Sequence, residues 1–429
     1  MLDAVIRPVL NVRTERLENA GSLIEWCDPL QPVAFIRNGD GIVGFGSRID
    51  FVDALPGRIG RVAEWWAETC ATAIVEDHVN LPGTGLVAFG SFAFSDASTE
   101  PSFLSVPSIV IGRRGADSWI TTVDSGMPVE SGTPVDSGTS VAPRPLGPPP
   151  QEQLGPGSLR AFSPGSMSED AYRAAVRTAT EAIGAGRAEK VVVARELVAR
   201  IPAMSDRRVI LARLASAYPD TFAFAVNGLV GASPETLVRV TDGLVSARVL
   251  AGTAARGADA TADAAARAAI TSSSKDRAEH EFALASVVAA LGPYTTDLNA
   301  DSAPFAIALP NLFHLASDVS GSLAAGSTVL DLVGALHPTA AVAGTSTRAA
   351  LKLIDELEPF DRGRYAGPVG WVDSHGDGEW AVALRCAQID EDGWVTAWAG
   401  AGIVADSDPS AELAETELKF RPVREAFEL

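Results

Sequence analysis

The sequence has few residues of the kinds that form disulfides or histidine-rich metal sites. Its 429 residues include three cysteines, Cys27, Cys70 and Cys386, and five histidines. The cysteines are widely spaced and form no CxxC or Cys/His pattern, so we expect buried thiols rather than disulfides or a structural zinc site. The histidines show no HExxH-like spacing, which argues against a metal-dependent hydrolase.

Positive charge and long apolar stretches are also scarce. The chain has 34 Lys and Arg against 54 Asp and Glu, which gives a net charge of −20 at pH 7. Nucleic acids and anionic membranes bind clustered positive surfaces, so neither is expected as a partner. The sequence contains no uninterrupted apolar run of about 18 residues and no secretory signal pattern at its start, which predicts a cytoplasmic protein. An acidic surface repels small anions, so a site for an anionic substrate would need its own Arg, Lys, Mg²⁺ or backbone donors.

Short apolar runs separated by Gly and Pro predict more strands than helices. These runs recur in the first 120 residues and again after residue 166, and a Gly/Pro/Ser-rich stretch without periodicity separates the two regions. We divide the chain into 1–124, a flexible loop over 125–165, and 166–429. The pattern favours an α+β fold, a single large layered domain of mixed or antiparallel β-sheets with outer helices.

Near the C-terminus a Gly-rich strand leads into a capped helix. Backbone N–H groups near Gly400 and Gly402 can approach an anion closely, because glycine has no Cβ atom. Asp408 and Pro409 are typical of the N-cap and first position of the helix that follows.

Two predicted helices each carry a pair of carboxylates three residues apart. Glu412 and Glu415 share one face of the C-terminal helix, and Asp276 and Glu279 share a face of a helix that starts near Ser274. Taken alone, each pair is most simply a solvated helix face. Two such faces opposite each other could hold a divalent cation.

Eight short segments stand in a fixed order between residue 166 and the C-terminus. They are KVVVAR (190–195), GASPETL (231–237), LAGT (250–253), KDRAEH (275–280), HPTA (337–340), RYAGPVG (364–370), ALR (383–385) and the C-terminal helix segment. In this order they resemble the chorismate-utilising enzymes, which include isochorismate, salicylate, anthranilate and aminodeoxychorismate synthases. The resemblance implies that 166–429 is the chorismate-binding catalytic region and that 1–124 is the more variable part of the same anthranilate synthase-like fold.

The resemblance implies a bound Mg²⁺ ion. Glu279 and Glu415 would be its ligands, with Asp276 and Glu412 close by as water-bridged partners. This agrees with the chemistry of Mg²⁺, which keeps several waters and is held by one or two carboxylates together with an anionic substrate.

Chorismate is a dicarboxylate, and the resemblance implies contacts to both of its carboxylates. Tyr365, Arg385 and the backbone near Gly400 would bind the enolpyruvyl carboxylate, while Gly252, Thr253 and the metal would bind the ring carboxylate. A guanidinium suits the first task, because it is planar and permanently charged.

The remaining implied residues concern the reaction. Lys190 would be the base that activates water for attack at C2 of the ring, and Glu235 the acid that protonates the departing C4 hydroxyl. His314 would lie near the C4 oxygen. Lys419 would neutralise the metal site or pair with Glu415 as an i,i+4 partner.

Within the family, these residues favour an isochorismate synthase. Lys190 disfavours the ammonia-using anthranilate branch, and Ala251 replaces the attacking lysine of the aminodeoxychorismate branch. Ala254 stands where salicylate synthases tend to have Arg. A salicylate synthase that releases pyruvate and a catalytically silent chorismate-binding homologue remain as alternatives. We expect a monomer that needs no glutamine amidotransferase subunit, and the sequence leaves open menaquinone or siderophore biosynthesis as its pathway.

Overall fold

Strands dominate the chain, as the apolar runs punctuated by Gly and Pro predicted. The computed structural model describes residues 9–125, 160–257, 259–308 and 312–428. The strands within these ranges are β1 Asn11–Leu17, β2 Val33–Arg37, β3 Asp40–Asp53, β4 Ile74–Asp77, β5 Val87–Ser91, β6 Ser102–Arg114, β7 Asp117–Asp124, β8 Arg160–Pro164, β9 Lys190–Arg200, β10 Phe222–Val226, β11 Leu229–Ser233, β12 Thr236–Thr241, β13 Leu244–Ala255, β14 Thr295–Ala300, β15 Phe305–Ala308, β16 Leu312–Leu323, β17 Gly344–Thr345, β18 Pro368–Asp373, β19 Gly378–Val382, β20 Cys386–Ile389 and β21 Trp394–Ile403.

Several helices of the described ranges begin at a capping side chain. The helices are α1 Arg58–Thr72, α2 Glu169–Gly184, α3 Arg208–Ala217, α4 Ala260–Ser272, α5 Ser274–Leu291, α6 Val329–Leu336, α7 Thr347–Leu357 and α8 Pro409–Phe427. The Asp408 carboxylate accepts hydrogen bonds from the N–H groups of Ser410 and Ala411, at 3.0 and 2.8 Å, which confirms the predicted start of α8. No helix in the described ranges is both long and apolar enough to cross a membrane.

The strands form one connected hydrogen-bonded sheet. β1 pairs in parallel with β4, whereas the other described pairings are antiparallel. The pairs β2–β10 and β5–β18 join the N-terminal third of the chain to the remainder. The predicted α+β class is therefore confirmed, with a single continuous sheet in place of several.

Apolar side chains cover both faces of this sheet. Val33 and Phe35 of β2 belong to one buried cluster, and Ala34 and Ile36 belong to a second. This alternation is the period of two expected of a strand that is buried on both sides. Helix α8 packs on the second cluster through Phe420 and its buried neighbours.

Most of the predicted loop lies outside the described part of the chain. Residues 126–159 are not described, whereas the end of the range predicted over 125–165 forms β8. Strand β8 pairs with β9, which carries the first of the predicted catalytic residues.

Candidate active site

The antiparallel strands β9 and β21 form the base of the candidate site. Lys190 is the first residue of β9, and Gly402 of β21 lies opposite Val192. A Cβ atom added at Gly402 would lie 2.8 Å from Lys190 Cε and 3.6 Å from Lys190 Nζ. The Lys190 side chain therefore lies across the strand in space that only a glycine leaves free.

The register of these strands turns backbone groups of β21 outward. Ala194 pairs with Gly400, yet the Ala194 N–H donates to the Glu358 carboxylate at 2.7 Å. This is therefore a non-hydrogen-bonded pair of the ladder, in which the N–H and C=O groups of both residues point away from the partner strand. The Gly400 carbonyl indeed accepts a hydrogen bond from Lys419 Nζ at 2.8 Å. Because such pairs alternate with hydrogen-bonded ones, the Gly402 N–H points to the same side.

The neighbouring strand β20 leaves that side of Gly400 uncovered, because the chain turns at Arg385. Strand β20 begins one residue later, and Arg385 has a left-handed φ of +50°. Such a conformation is uncommon for a residue with a side chain and often marks a functional position. The Arg385 guanidinium forms no hydrogen bond or ion pair with another described residue. Burial lowers its pKa, which the nearby Tyr365, Glu415 and Glu235 oppose.

Glu235 lies in the two-residue connection between β11 and β12. Its carbonyl accepts a hydrogen bond from the Val382 N–H at 3.0 Å, which ties the turn to β19. The residue is half-buried, and removal of its carboxyl group from water raises the pKa above the usual range. The charges of Lys190, Lys419 and Arg385 act in the opposite direction. Glu235 therefore holds a proton to a higher pH than an exposed glutamate does.

Tyr365 closes one side of the site. It is buried, and its ring stacks on Trp398 of β21 with a centroid distance of 5.9 Å and an interplanar angle of 14°. Its hydroxyl lies 3.3 Å from a Cβ atom added at Gly400. Ala366, the next residue, has a left-handed φ of +60°. The tyrosine ring is thus fixed by packing beside the outward-facing backbone of β21.

Helix α8 brings its carboxylates and one amine to the same strand end. Lys419 Nζ lies 2.5 Å from the Glu415 carboxylate while it also donates to Gly400. Glu412, one turn earlier, has a pKa raised first by burial, while Ser407 and Lys419 oppose the shift and the charge of Glu415 adds to it. The predicted face of α8 therefore points toward the Gly-rich part of β21.

His314 and Gly252 meet across β13 and β16. Strand β13 has an irregularity before Thr253, and Gly252 there has a left-handed φ of +81°. His314 Nδ1 lies 3.3 Å from the Gly252 carbonyl oxygen, and burial lowers the pKa of this imidazole. The charges of Lys190 and Lys419 lower it further. The backbone of Thr253 pairs with His314, whereas its side chain lies outside the described part of the structure.

The electrostatic contacts show that these predicted residues converge. Lys190 and Lys419 act on both Glu235 and His314, and Arg385 acts on Glu235. A protein with a net charge of −20 thus gathers three basic side chains and outward backbone donors around a carboxyl group whose pKa is raised by burial. This arrangement suits an anionic substrate and proton transfer to or from it.

Comparison with known proteins identifies the family. The family model described as "Chorismate binding enzyme" matches residues 31–428. The chain belongs to this family.

Relatives with known names agree with this assignment. The Bacillus subtilis isochorismate synthase DhbC is 39% identical over 268 residues, which are 60% of this chain and 67% of that protein. The salicylate biosynthesis isochorismate synthase of Pseudomonas aeruginosa is 34% identical over 383 residues, which are 86% of this chain and 79% of that protein. Escherichia coli MenF, a menaquinone-specific isochorismate synthase of known structure, matches with a TM-score of 0.75 and 22% identity over 98% of this chain and 95% of that one. The last match shows the shared fold, and the sequence resemblance to chorismate-utilising enzymes is confirmed.

Helix α5 carries the other two carboxylates predicted for the metal in this chorismate-binding chain. Its buried His280 lies 3.2 Å from the Ala251 carbonyl oxygen through Nδ1 and 2.9 Å from Ser317 Oγ through Nε2. These contacts place the start of α5 beside the residue that precedes Gly252. The side chains of Asp276 and Glu279 lie outside the described part of the structure, so their role as metal ligands stays a prediction.

The described half of the predicted metal site suits Mg²⁺ in its chemistry. Glu412 and Glu415 place two carboxylates one helical turn apart, and their mutual repulsion is the kind that a divalent cation relieves. Among the described side chains, no group of three or more His, Cys, Asp or Glu is placed to hold a metal ion. A complete site in this family member would therefore need the carboxylates of α5 or those of the substrate.

Sequence reasoning missed a buried ion pair beneath β9. Arg362 donates to Glu358 through Nε at 2.8 Å and through a terminal nitrogen at 2.6 Å, and the two side chains are 2% and 1% exposed. Arg362 also donates to the Val192 carbonyl, while Glu358 accepts the Ala194 N–H. The pair thus provides hydrogen-bond partners for two backbone groups of β9 that face away from β21. A Glu and an Arg four residues apart normally indicate a surface pair, so no local pattern predicted this burial.

Proposed function

We propose that this protein converts chorismate to isochorismate. The observation that carries the proposal is the carboxyl group of Glu235, whose pKa burial raises, in electrostatic contact with the amine of Lys190. Both lie beside donors suited to carboxylates, and both occupy the positions at which the family resemblance implies the acid and the base. The names of the relatives support the same activity.

The proposed reaction exchanges one hydroxyl group for another. A water oxygen forms a bond to C2 of the ring as Lys190, in its neutral form, takes a proton from that water. The ring double bonds shift, the C4–O bond breaks, and Glu235 gives its proton to the departing oxygen so that water leaves. One water enters and one leaves, so the net change is an isomerisation. Proton exchange with solvent then restores both side chains.

Arg385 and the outward N–H groups of β21 are proposed to bind the enolpyruvyl carboxylate. The guanidinium has no partner among the described residues, and the donor side of Gly400 is uncovered because β20 pairs with β21 only as far as Ala397. Tyr365, fixed against Trp398, would orient the same group. Burial of a charged donor without a protein partner is costly, and a substrate carboxylate would supply that partner.

We propose Mg²⁺ as the cofactor, held by Glu279 and Glu415 with Asp276 and Glu412 nearby. When bound, the ion would neutralise the ring carboxylate of the substrate and orient the ring. When no ion is bound, Lys419 would balance the charge of Glu415, whose carboxylate lies 2.5 Å from Lys419 Nζ.

A proton NMR time course of purified protein with chorismate tests the proposal. The ring protons and free pyruvate are followed with Mg²⁺ and then with excess chelator. Isochorismate that forms without pyruvate, and only with Mg²⁺, supports the proposal. Salicylate with pyruvate would instead indicate a salicylate synthase, and binding without turnover a silent homologue.

Two variants and one control make the test specific. Lys190→Gln and Glu235→Gln should each remove turnover while chorismate still binds. Lys352→Gln removes an exposed amine of α7 and should change neither turnover nor binding. Full activity in either of the first two variants would reject the assigned acid or base.

A further inference from the structure

Arg195 of β9 is a buried residue that the proposed reaction does not use. Its side chain is 1% exposed. Its Nε donates to Thr416 Oγ1 at 2.8 Å, and a terminal nitrogen forms an ion pair with Glu417. The guanidinium carbon also lies 4.9 Å from the centre of the Phe420 ring. All three partners belong to α8.

These partners lie beside the active-site face of α8. At about 100° per residue, Thr416, Glu417 and Phe420 are centred about a third of a turn from the stripe of 412, 415 and 419. Arg195 therefore holds α8 at one side, while Lys419 contacts Gly400 at the next. Arg424 adds a further bond to Glu417 at 2.8 Å, which steadies the same side of the helix.

We propose that Arg195 is a positioning residue that sets the rotation of α8 about its axis. It thereby keeps Glu412, Glu415 and Lys419 directed at the Gly-rich part of β21. The expected effect on metal binding and turnover rests on the function proposed above, whereas the effect on the position of Lys419 does not.

The geometry makes the active site sensitive to small rotations of α8. Side-chain ends lie about 5–6 Å from a helix axis, so a rotation of about 20° moves them by about 2 Å. A shift of that size breaks the 2.8 Å hydrogen bond between Lys419 and Gly400.

Arginine is suited to this task because its planar group forms directed bonds to two partners and stacks on a third. A lysine offers one compact charge and cannot reproduce that arrangement. Buried ion pairs contribute little net stability, and one terminal nitrogen of Arg195 has no hydrogen-bond partner among the described residues. We therefore expect the main effect of Arg195 on geometry rather than on the free energy of unfolding.

Amine labelling of the full-length protein, read by mass spectrometry, tests the positioning directly. In Arg195→Lys and Arg195→Met, Lys419 should react about fivefold faster than in the wild type, because its bond to Gly400 is weakened. The exposed Lys352 should react at an unchanged rate and serves as the internal standard. The control variant is Arg58→Lys, since Arg58 is also 1% exposed but donates to backbone carbonyls near α1.

Activity and metal affinity provide the second readout. In both Arg195 variants we expect kcat to fall about tenfold and the Mg²⁺ dissociation constant to rise, with the Arg58 variant unchanged in both. Thr416→Val removes a single bond and replaces the Arg195 variants if these do not fold. Unchanged labelling of Lys419 in a folded Arg195→Met protein overturns the inference. If the wild type neither binds Mg²⁺ nor converts chorismate, the proposed function fails, and the labelling rates still decide the role of Arg195.

Discussion

Substitution of Gly402 by alanine would test whether the position of Lys190, and not only its presence, matters for catalysis. The added Cβ atom would lie 2.8 Å from Lys190 Cε, whereas carbon atoms in contact prefer separations of about 3.5–4.0 Å. The lysine chain must therefore move by about 0.7–1.2 Å. Because a long side chain can yield more readily than a strand, the backbone of β21 should stay in place.

The expected effect is on the rate rather than on stability. A misplacement of about 1 Å can lower a rate about 100-fold, which corresponds to about 2.7 kcal/mol in the activation free energy. The φ of Gly402 is not left-handed, so alanine fits the strand and should leave the free energy of unfolding unchanged or raise it by about 0.4–1 kcal/mol.

Steady-state kinetics with chorismate and urea unfolding, measured on the same preparations, separate these effects. Gly184→Ala is the matched control, since its added Cβ atom would meet no heavy atom within 4 Å. We expect a lowered kcat with a nearly unchanged KM in the Gly402 variant and wild-type values in the control. A Gly402→Ala protein with wild-type kcat would refute the reasoning, because Lys190 could then not act from the observed position.

Three further substitutions address the acid, the carboxylate contact and the backbone. Glu235→Gln should lower kcat by about 10²–10⁴-fold. Burial raises the pKa of Glu235 in the folded state, so wild-type activity should fall as the pH rises through that raised pKa. The free energy of unfolding should decrease over the same pH range, starting near the unfolded pKa of about 4.3. Both pH dependences should be absent from the glutamine variant when kinetics and urea unfolding are measured against pH. Arg385→Lys should raise the chorismate KM about 10–100-fold with a smaller change in kcat, since a charge-assisted hydrogen bond contributes about 1.5–3 kcal/mol and lysine lacks the planar fork; an unchanged KM would place the enolpyruvyl carboxylate elsewhere. Gly252→Ala should lower the free energy of unfolding by about 1–2 kcal/mol in urea titrations, because a side chain is strained at φ +81°, and equal stability would mean that the strand can relax there.

Local signals in the sequence predicted much of the fold and the positions of several site residues. Asp408 and Pro409 marked the start of α8, because a capping carboxylate acts on the residues next to it. Glu235 follows Ser233 and Pro234, residue types common in turns, and lies between two strands, while Lys190 precedes an apolar run and begins β9. These features depend on residues that are neighbours in the sequence, so they can be predicted from the sequence.

Features that depend on distant partners could not be predicted in this way. Arg195 ends an apolar run like a surface residue, and only its contact with a helix more than 200 residues later shows that it is buried. The left-handed conformation of Arg385 follows from how β20 meets β11 and β21, since arginine itself disfavours it. The resemblance to a family implied a role for Arg385, whereas its left-handed backbone became visible only in the structure.

The outward-facing groups of Gly400 and Gly402 have a consequence for how this protein can change by mutation. A donor on a side chain is lost whenever its codon changes to that of another residue type, but a donor on the main chain survives every substitution except one to proline. The donors themselves are therefore determined by strand register, whereas their close approach to an anion still depends on the missing Cβ atoms of the two glycines. Random mutation should abolish turnover, through Lys190 or Glu235, more readily than it abolishes recognition of the substrate carboxylate. A lineage that loses the proposed reaction would thus keep backbone donors for a carboxylate that selection could use again.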